Sequence, residues 1–391
     1  MVDAQSLTTN SLDHLERLVA FDTTSRLSNL DLIAYVEAEL APLGARLQRA
    51  PSDDGTKTNL LASIGPDAPG GVVLSGHTDV VPVDGQAWTS DPFVLTRRGD
   101  RLYGRGACDM KGFLALALAA GPGFAAARLQ RPVHFAFTYD EEVGCIGAPR
   151  LIALIERDIP HPAAVIVGEP TNMEAIGGHK GVATFRVTVT GREAHSSLTH
   201  LGVSAVMAAA PLMHRLVQLS QALERAADPA SPFEPKGASL TIGQVNGGTA
   251  VNILARECVF LFDLRCPPGL DPEALLAPFM DEVRALDIEL KTKAPEAGVR
   301  VQARSRTPAF ATDIGGAAEQ LARRLTGDNG PARVAPYAAE AGQFQGAGFS
   351  TVICGPGSIE QAHQPDEYVE IAQMERGAQF MMRLVDHLTA A

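Results

Sequence analysis

The stretch VVLSGHTDVVPVDGQAWTSDPF, from Val72 to Phe93, ends an apolar run on an imidazole and a carboxylate, His77 and Asp79. Two further apolar stretches end in the same kind of chemistry, and a glycine-rich segment adds to it. Asp109 stands in GRGACDMKG, Glu141 and Glu142 in YDEEVG, and Glu169 in GEPT. A late strand-like run leads into GPGSIEQAHQPDEY, which supplies His363. Taken singly, each has an ordinary explanation: a strand-end histidine is usually hydrogen-bonded, and a lone glutamate is usually solvated. Together they belong to one site, because sites in open α/β sheets form at the carboxyl ends of strands. Gathering that many carboxylates at one sheet edge is very costly without compensating cations. Imidazole and carboxylate ligands in combination suit zinc or a similar divalent ion. The GRG of Gly104–Gly106 is no phosphate loop, since it lacks both the Lys-Ser/Thr of a P-loop and the dinucleotide spacing. Its glycines are expected to let the backbone pass close to the metals.

The elements that must carry these groups follow from periodicity. Between Asp13 and Leu43 the apolar pattern is helical, interrupted by DTTSRLSN. VVLSG, VHFAFTYDEEVG and AAVIVGEPT read as short buried strands. MKGFLALALAAGPGFAAARL reads as a helix that Gly121, Pro122 and Gly123 should bend or break. Strands alternating with helices imply an α/β layer with a mixed, mostly parallel sheet. After Gly181 the texture changes. VATFRVTVTGREAHS alternates like an antiparallel strand with one wet face. A helix over about 204–226, two strands, a helix from near Asp271 and the strand GVRVQARSR complete a β-α-β-β-α-β, ferredoxin-like order. Residues 182–304 are therefore expected to form an inserted α+β domain, with 1–181 and 305–391 making the metal-binding domain. A helix near Gly315 to Leu325, the strand STVICGPG and a terminal helix from Ala372 close that second part.

Composition sets the outer limits. The chain has 391 residues, 46% hydrophobic and 20% charged, as expected of a soluble globular protein of two or three domains. A net charge of -12 with no basic stretch argues against nucleic acid or an anionic membrane as the main partner. No secretory signal and no membrane-spanning stretch is visible, so a cytoplasmic location is expected. Five scattered cysteines without a CxxC pair suit reduced thiols, and Cys108 beside Asp109 is read as packing.

In combination and in order, SGHTDVVP, LYGRGACDMKG, TYDEEVG, VGEPT and GSIEQAHQPDEY resemble the signature blocks of the dinuclear zinc metallopeptidase and aminoacylase family. HTDVVPVDGQAWTSDPF, GGTAVNILARECVFLFDLRCPPG and YAAEAGQFQGAGFSTVICGPGSIEQAHQPDEYV most resemble its acetylornithine deacetylase branch. The resemblance implies a zinc-exopeptidase-like domain with an inserted lid and dimerisation domain. It implies two divalent metal ions, zinc with cobalt as the alternative. His77, Asp109 and Glu169 would hold one, and Asp109, Glu142 and His363 the other, with a shared water between them. Glu141 would be the general base and then acid. Asp79 would accept the other ring N–H of His77 and fix its tautomer. His195, in GREAHSS, would stabilise the oxyanion and, as it often does in relatives, would reach into the site of the partner subunit of a homodimer. Asn252 and Arg265 would hold a substrate carboxylate, and Glu340 would either contact substrate or orient a neighbour. The implied reaction is hydrolysis of N2-acetyl-L-ornithine to acetate and L-ornithine, in arginine biosynthesis. The alternatives are a succinyl-diaminopimelate desuccinylase, another N-acyl-amino-acid deacylase, a carboxypeptidase, or a non-catalytic relative that binds an amino-acid derivative. In relatives Gly-Thr commonly precedes the acid of the block that here reads Ala338, Ala339, Glu340, so a hydroxyl that could bond substrate is missing.

Overall fold

The computed structural model describes residues 3–311, 313 and 315–390; Met1, Val2, Thr312, Ile314 and Ala391 lie outside the described residues. Along the chain come α1 (Ala4–Val19), α2 (Leu30–Leu40), β1 (Arg46–Pro51), β2 (Thr58–Ile64), β3 (Val72–His77), β4 (Thr96–Arg98), β5 (Arg101–Tyr103) and α3 (Lys111–Ala126). β6 (Val133–Thr138), α4 (Ala148–Asp158), β7 (Ala164–Val167) and β8 (Ile176–His179) follow. Next are β9 (Gly181–Thr190), α5 (Ala205–Arg225), β10 (Ser239–Gly247), β11 (Glu257–Cys266), α6 (Pro272–Lys293) and β12 (Gly298–Thr307). α7 (Ala317–Thr326), β13 (Arg333–Ala335), α8 (Ala341–Gly346), β14 (Thr351–Ile353), β15 (Tyr368–Glu370) and α9 (Ile371–Thr389) complete the order.

Two compact units result. One comprises the described residues of Met1–Gly178, Thr312–Val334 and Ala339–Ala391; the other comprises His179–Ala311 and Ala335–Ala338. The expected insertion, 182–304, is thus shorter than the unit it describes. The reason is local pairing: His179 and Phe310 exchange both backbone hydrogen bonds, each at 3.0 Å, so the two connecting segments are held as one ladder.

In the first unit an eight-stranded sheet runs in the order β1-β2-β6-β3-β7-β14-β8-β13. β6–β3, β3–β7 and β7–β14 are parallel, while β1–β2, β2–β6 and β14–β8 are antiparallel. The fold is therefore mixed α/β with a parallel centre. β3, β6 and β7 are buried along their whole length, which is why their sequences are continuous apolar runs and not alternating ones. α3 is apolar on every side and packs against both α1 and α9. It does not break at Gly121–Gly123: the helix runs on to Ala126 with Pro122 inside it. Packing on two helices outweighs the backbone hydrogen bond that proline removes. A small sheet, β15-β5-β4, pairs Tyr368 with Tyr103 and so sets the segment before β15 beside the one after β5.

The second unit is a four-stranded antiparallel sheet in the order β10-β11-β9-β12, accompanied by α5 and α6. Its β-α-β-β-α-β sequence is that of the ferredoxin-like arrangement. Ser204 caps α5 by accepting from Met207 N, and Asp271 caps α6 by accepting from Glu273 N at 2.9 Å.

The closest backbone approach in the first unit lies just under Glu169. A Cβ on Gly355 would sit 2.0 Å from the carbonyl oxygen of Gly168, and one on Gly168 would sit 2.0 Å from Cγ of buried Phe113. The ends of β7 and β14 can meet there only as glycine. Gly168→Ala is accordingly expected to cost about 1–3 kcal/mol by overpacking. Thermal melting checks this, and a wild-type melting temperature would contradict the packing described.

Candidate metal centre

β3 delivers His77 at its last residue, opposite Thr138 at the end of the parallel strand β6. The turn after β6 carries Glu141 and Glu142, and the segment after β7 carries Glu169. Asp109 lies two residues before α3, and its peptide bond to Met110 is cis. His363 comes from the segment between β14 and β15 with φ +61°, a left-handed conformation that is unusual outside glycine.

Asp109 is the centre of the arrangement. Its Oδ1 is 3.0 Å from Nε2 of His77, and its Oδ2 is 3.1 Å from Nε2 of His363. Glu169 Oε1 approaches His77 Nε2 to 3.8 Å, and Glu142 Oε2 approaches His363 Nε2 to 3.0 Å. The two sets His77–Asp109–Glu169 and Asp109–Glu142–His363 therefore share one carboxylate, with one oxygen facing each way. Potential ligand atoms of His77, Asp109 and Glu142 lie within 4.8 Å of one another, as do those of His77, Glu141 and Glu169. All five expected ligands and Glu141 belong to the first unit.

The electrostatics describe a site short of positive charge. Burial pushes the Glu169 carboxyl well above the usual range, and Asp109 adds to the push. Burial raises Glu142 to about 7, with the Asp109 charge in support. Burial also raises Glu141, reinforced by Glu142, Glu340 and Asp109 against the pull of His77. Asp109 goes the other way: burial would raise it, but hydrogen bonds from His363 and His77 hold it below its usual value. Hydrogen bonds to Asp109 and Glu142 raise His363 to about 11. Burial disfavours the charged ring of His77, yet the Asp109 hydrogen bond and the surrounding carboxylates keep it well above its ordinary value. Protons thus do here what cations would do better. Glu169 Oε1 is buried with no hydrogen-bond partner, an orphaned oxygen on the wall of the cluster. Hard carboxylate oxygens with two imidazoles fit divalent ions of the zinc type.

Asp79 departs from expectation. Nδ1 of His77 bonds the backbone oxygen of Asp79 at 2.8 Å, while the Asp79 carboxylate is 3.6 Å away. The carbonyl fixes the tautomer. The carboxylate instead accepts the backbone N–H of Glu141 at 3.0 Å, that of Glu142 at 3.2 Å and the hydroxyl of Ser25 at 2.7 Å. It aims the acidic turn, because those two N–H groups are the stronger claim on a buried anion. Glu340 is 1% exposed, with Ser75 Oγ 3.4 Å from its Oε2 and its Oε1 unpartnered; burial raises it to about 7. Cys108 is buried and its thiol approaches the carbonyl of Ser358 at 3.3 Å, in keeping with packing.

Three expected residues lie in the second unit. His195 is exposed, its Nδ1 2.8 Å from Ser197 Oγ. Asn252 is brought beside it, since its carbonyl accepts Ser196 N at 2.9 Å and Ile253 bridges His195. Arg265 stands on β11 opposite Val182 and pairs with Asp263 at 3.0 Å.

Sequence reasoning passed over the supports of Asp109. Glu367, 1% exposed, accepts the N–H groups of Cys108 at 2.9 Å and Asp109 at 3.0 Å through Oε1. Its Oε2 takes Arg105 Nη1 at 2.6 Å, an ion pair buried on both sides. Arg105 lies in the GRG and Glu367 in the QPDEY already singled out, so the signal was present in motifs read for other residues.

Comparison with known proteins follows the same lines. The model of Peptidase family M20/M25/M40 matches residues 73–387. An acetylornithine deacetylase of Myxococcus xanthus is 34% identical over 386 residues, covering 95% of this chain and 96% of its own. An M20 family metallo-carboxypeptidase from Sulfolobus solfataricus superposes with a TM-score of 0.77 at 17% identity, over 97% of this chain and 99% of its own. A dinuclear metal-binding peptidase of the M20 family from Bacillus subtilis gives 0.63 at 17% identity, over 97% and 98%.

The geometry separates the two aspartates. Asp109→Ala removes the shared carboxylate and should strip most of the metal on dialysis. Asp79→Ala leaves every proposed ligand in place and should weaken metal by about 10–100-fold at most. Metal analysis after identical dialysis checks this; equal stoichiometry in the two variants would contradict the arrangement.

Proposed function

The chain belongs to Peptidase family M20/M25/M40 and is a metal-dependent hydrolase, and from that premise we propose that it deacetylates N2-acetyl-L-ornithine. The products are acetate and L-ornithine. The observation that carries the chemistry is Asp109 facing both imidazoles, with Glu141 on the same turn as Glu142. Likeness to acetylornithine deacetylases over nearly the full length supports the substrate. Any of the other acyl-amino-acid hydrolyses named above would use the same centre, so a small substrate panel is part of the test.

His77, Asp109 and Glu169 are the proposed holders of one cation, and Asp109, Glu142 and His363 of the other, with zinc the first choice and cobalt the alternative. When bound, such cations polarise an amide carbonyl and bring the pKa of a water down toward about 7. Glu141 takes a proton from the attacking water as the C–O bond forms. It returns that proton to the amide nitrogen as the C–N bond breaks, which gives the amine and acetic acid, and the acid's remaining proton passes to the amine, so the products are acetate and an ammonium. The Asp79 carboxylate holds the backbone of Glu141 still, and the Cys145 thiol donates to Glu141 Oε1 at 3.2 Å. His195 is the proposed oxyanion donor, with Asn252 and Arg265 receiving the substrate carboxylate.

A second copy of this chain is the proposed partner. β10 is an edge strand of the second unit's sheet, with Val245 51% exposed, and α5 leaves Met207 75% exposed. Unpaired strand edges and apolar helix surface are what a dimer would cover. Among the described residues no helix is long and apolar enough to cross a membrane, and the cysteines form no disulfide, which suits the cytoplasm.

Glu141→Gln should keep its metal and lose at least about a hundredfold in kcat on N2-acetyl-L-ornithine. Wild-type turnover in the metal-replete variant would remove Glu141 from the mechanism. His195→Ala should also lower kcat at full metal content. Mixing inactive Glu141→Gln and His195→Ala chains should restore activity, since one site of the mixed dimer then has both groups. No recovery, with exchange verified by mass spectrometry, would mean that each site is completed within one chain.

A further inference from the structure

His363 is the least enclosed of the proposed ligands, its side chain 49% exposed, on a segment outside any helix or strand. What holds it is a chain of contacts that begins at Asp109. Glu367 binds the Asp109 N–H, Arg105 binds Glu367, and Nη2 of Arg105 donates to Oε1 of Gln86. Gln86 then donates through Nε2 to the backbone oxygen of His363 at 3.0 Å, 277 residues away in sequence. Trp88 fixes the middle of the chain: its Nε1 donates to Gln86 Oε1 at 3.0 Å and its ring lies 5.0 Å under the Arg105 guanidinium. Nothing comparable reaches His77, which is the last residue of a fully buried strand and bonds the carbonyl of Asp79.

We infer that Gln86, anchored on Arg105, is a positioning residue that sets the spacing of His363 from Asp109, and hence holds one cation position without governing the other. The inference rests on the two-cation reading given above. Arg105 is the wrong residue to delete first, because its loss leaves Glu367 as an unpaired buried charge and endangers the fold. Gln86 is a half-buried loop residue, and Gln86→Glu keeps the acceptor for Arg105 and Trp88 while replacing only the donor to His363. A carboxylate oxygen there would face the His363 carbonyl and repel it.

The experiment is cobalt titration of the full-length apoprotein, followed by visible absorption and by metal analysis after dialysis, for wild type, Gln86→Glu, Gln86→Ala and His363→Ala. Wild type should take up two equivalents. Both Gln86 variants should bind one equivalent as tightly as wild type and the second at least about tenfold more weakly, the lower end for loss of an outer support. At one equivalent their absorption should match that of His363→Ala. Two equivalents of unchanged affinity, or a like weakening of both, would overturn the inference while leaving the two-cation reading intact. A wild type that takes up fewer than two equivalents would overturn that reading and the inference with it.

Discussion

Like charges crowded out of water are the constraint on which the rest of this molecule depends. Asp109, Glu142 and Glu169 converge on two imidazoles, with Glu141 and Glu340 close behind. Carboxylates so placed cannot all ionise without positive charge among them. The buried glutamates and both histidines are raised above their ordinary values, each by the same shortage of cations. A hydrolase needs that shortage, because a site that binds divalent ions strongly is one that is unfavourable without them.

Such a cluster survives folding only if its members cannot move apart, and the surrounding structure supplies that restraint in layers. Parallel strands buried on both faces bring His77 and the segment of Glu169 to the same edge. Backbone N–H groups are then tied down by two further carboxylates, Asp79 for the Glu141–Glu142 turn and Glu367 for Asp109. Glu367 is balanced by Arg105, while Asp79 is satisfied by the turn itself and by Ser25. Acids thus position acids through main-chain donors. Glycine at Gly168 and Gly355 lets the two strand ends close under the site.

The residues that the structure gathers into the candidate site were legible in the sequence because His77, Glu141, Glu142 and Glu169 follow apolar runs, and strand ends in an α/β sheet converge by topology. Their supports were less so. Arg105 and Glu367 meet across 262 residues, and no periodicity reports a contact of that range. That the Asp79 carboxylate takes the N–H groups of Glu141 and Glu142 and not the His77 ring was not legible, because nearness in sequence does not say which of several donors a carboxylate takes. The parallel centre of the sheet was readable from its continuous apolar runs. β1 was not, since it is a half-exposed edge strand carrying Arg46 and Arg49. The break expected in α3 was a local signal from Gly121, Pro122 and Gly123, overruled by packing that no local window contains.

The most direct measurement is where divalent cations sit in a crystal of the zinc-loaded protein, by anomalous scattering at the zinc edge. Two peaks per chain are expected, one touching His77 and Glu169 and one touching Glu142 and His363, with Asp109 contributing one oxygen to each. A single peak under saturating zinc, or two peaks that do not share Asp109, would contradict that arrangement.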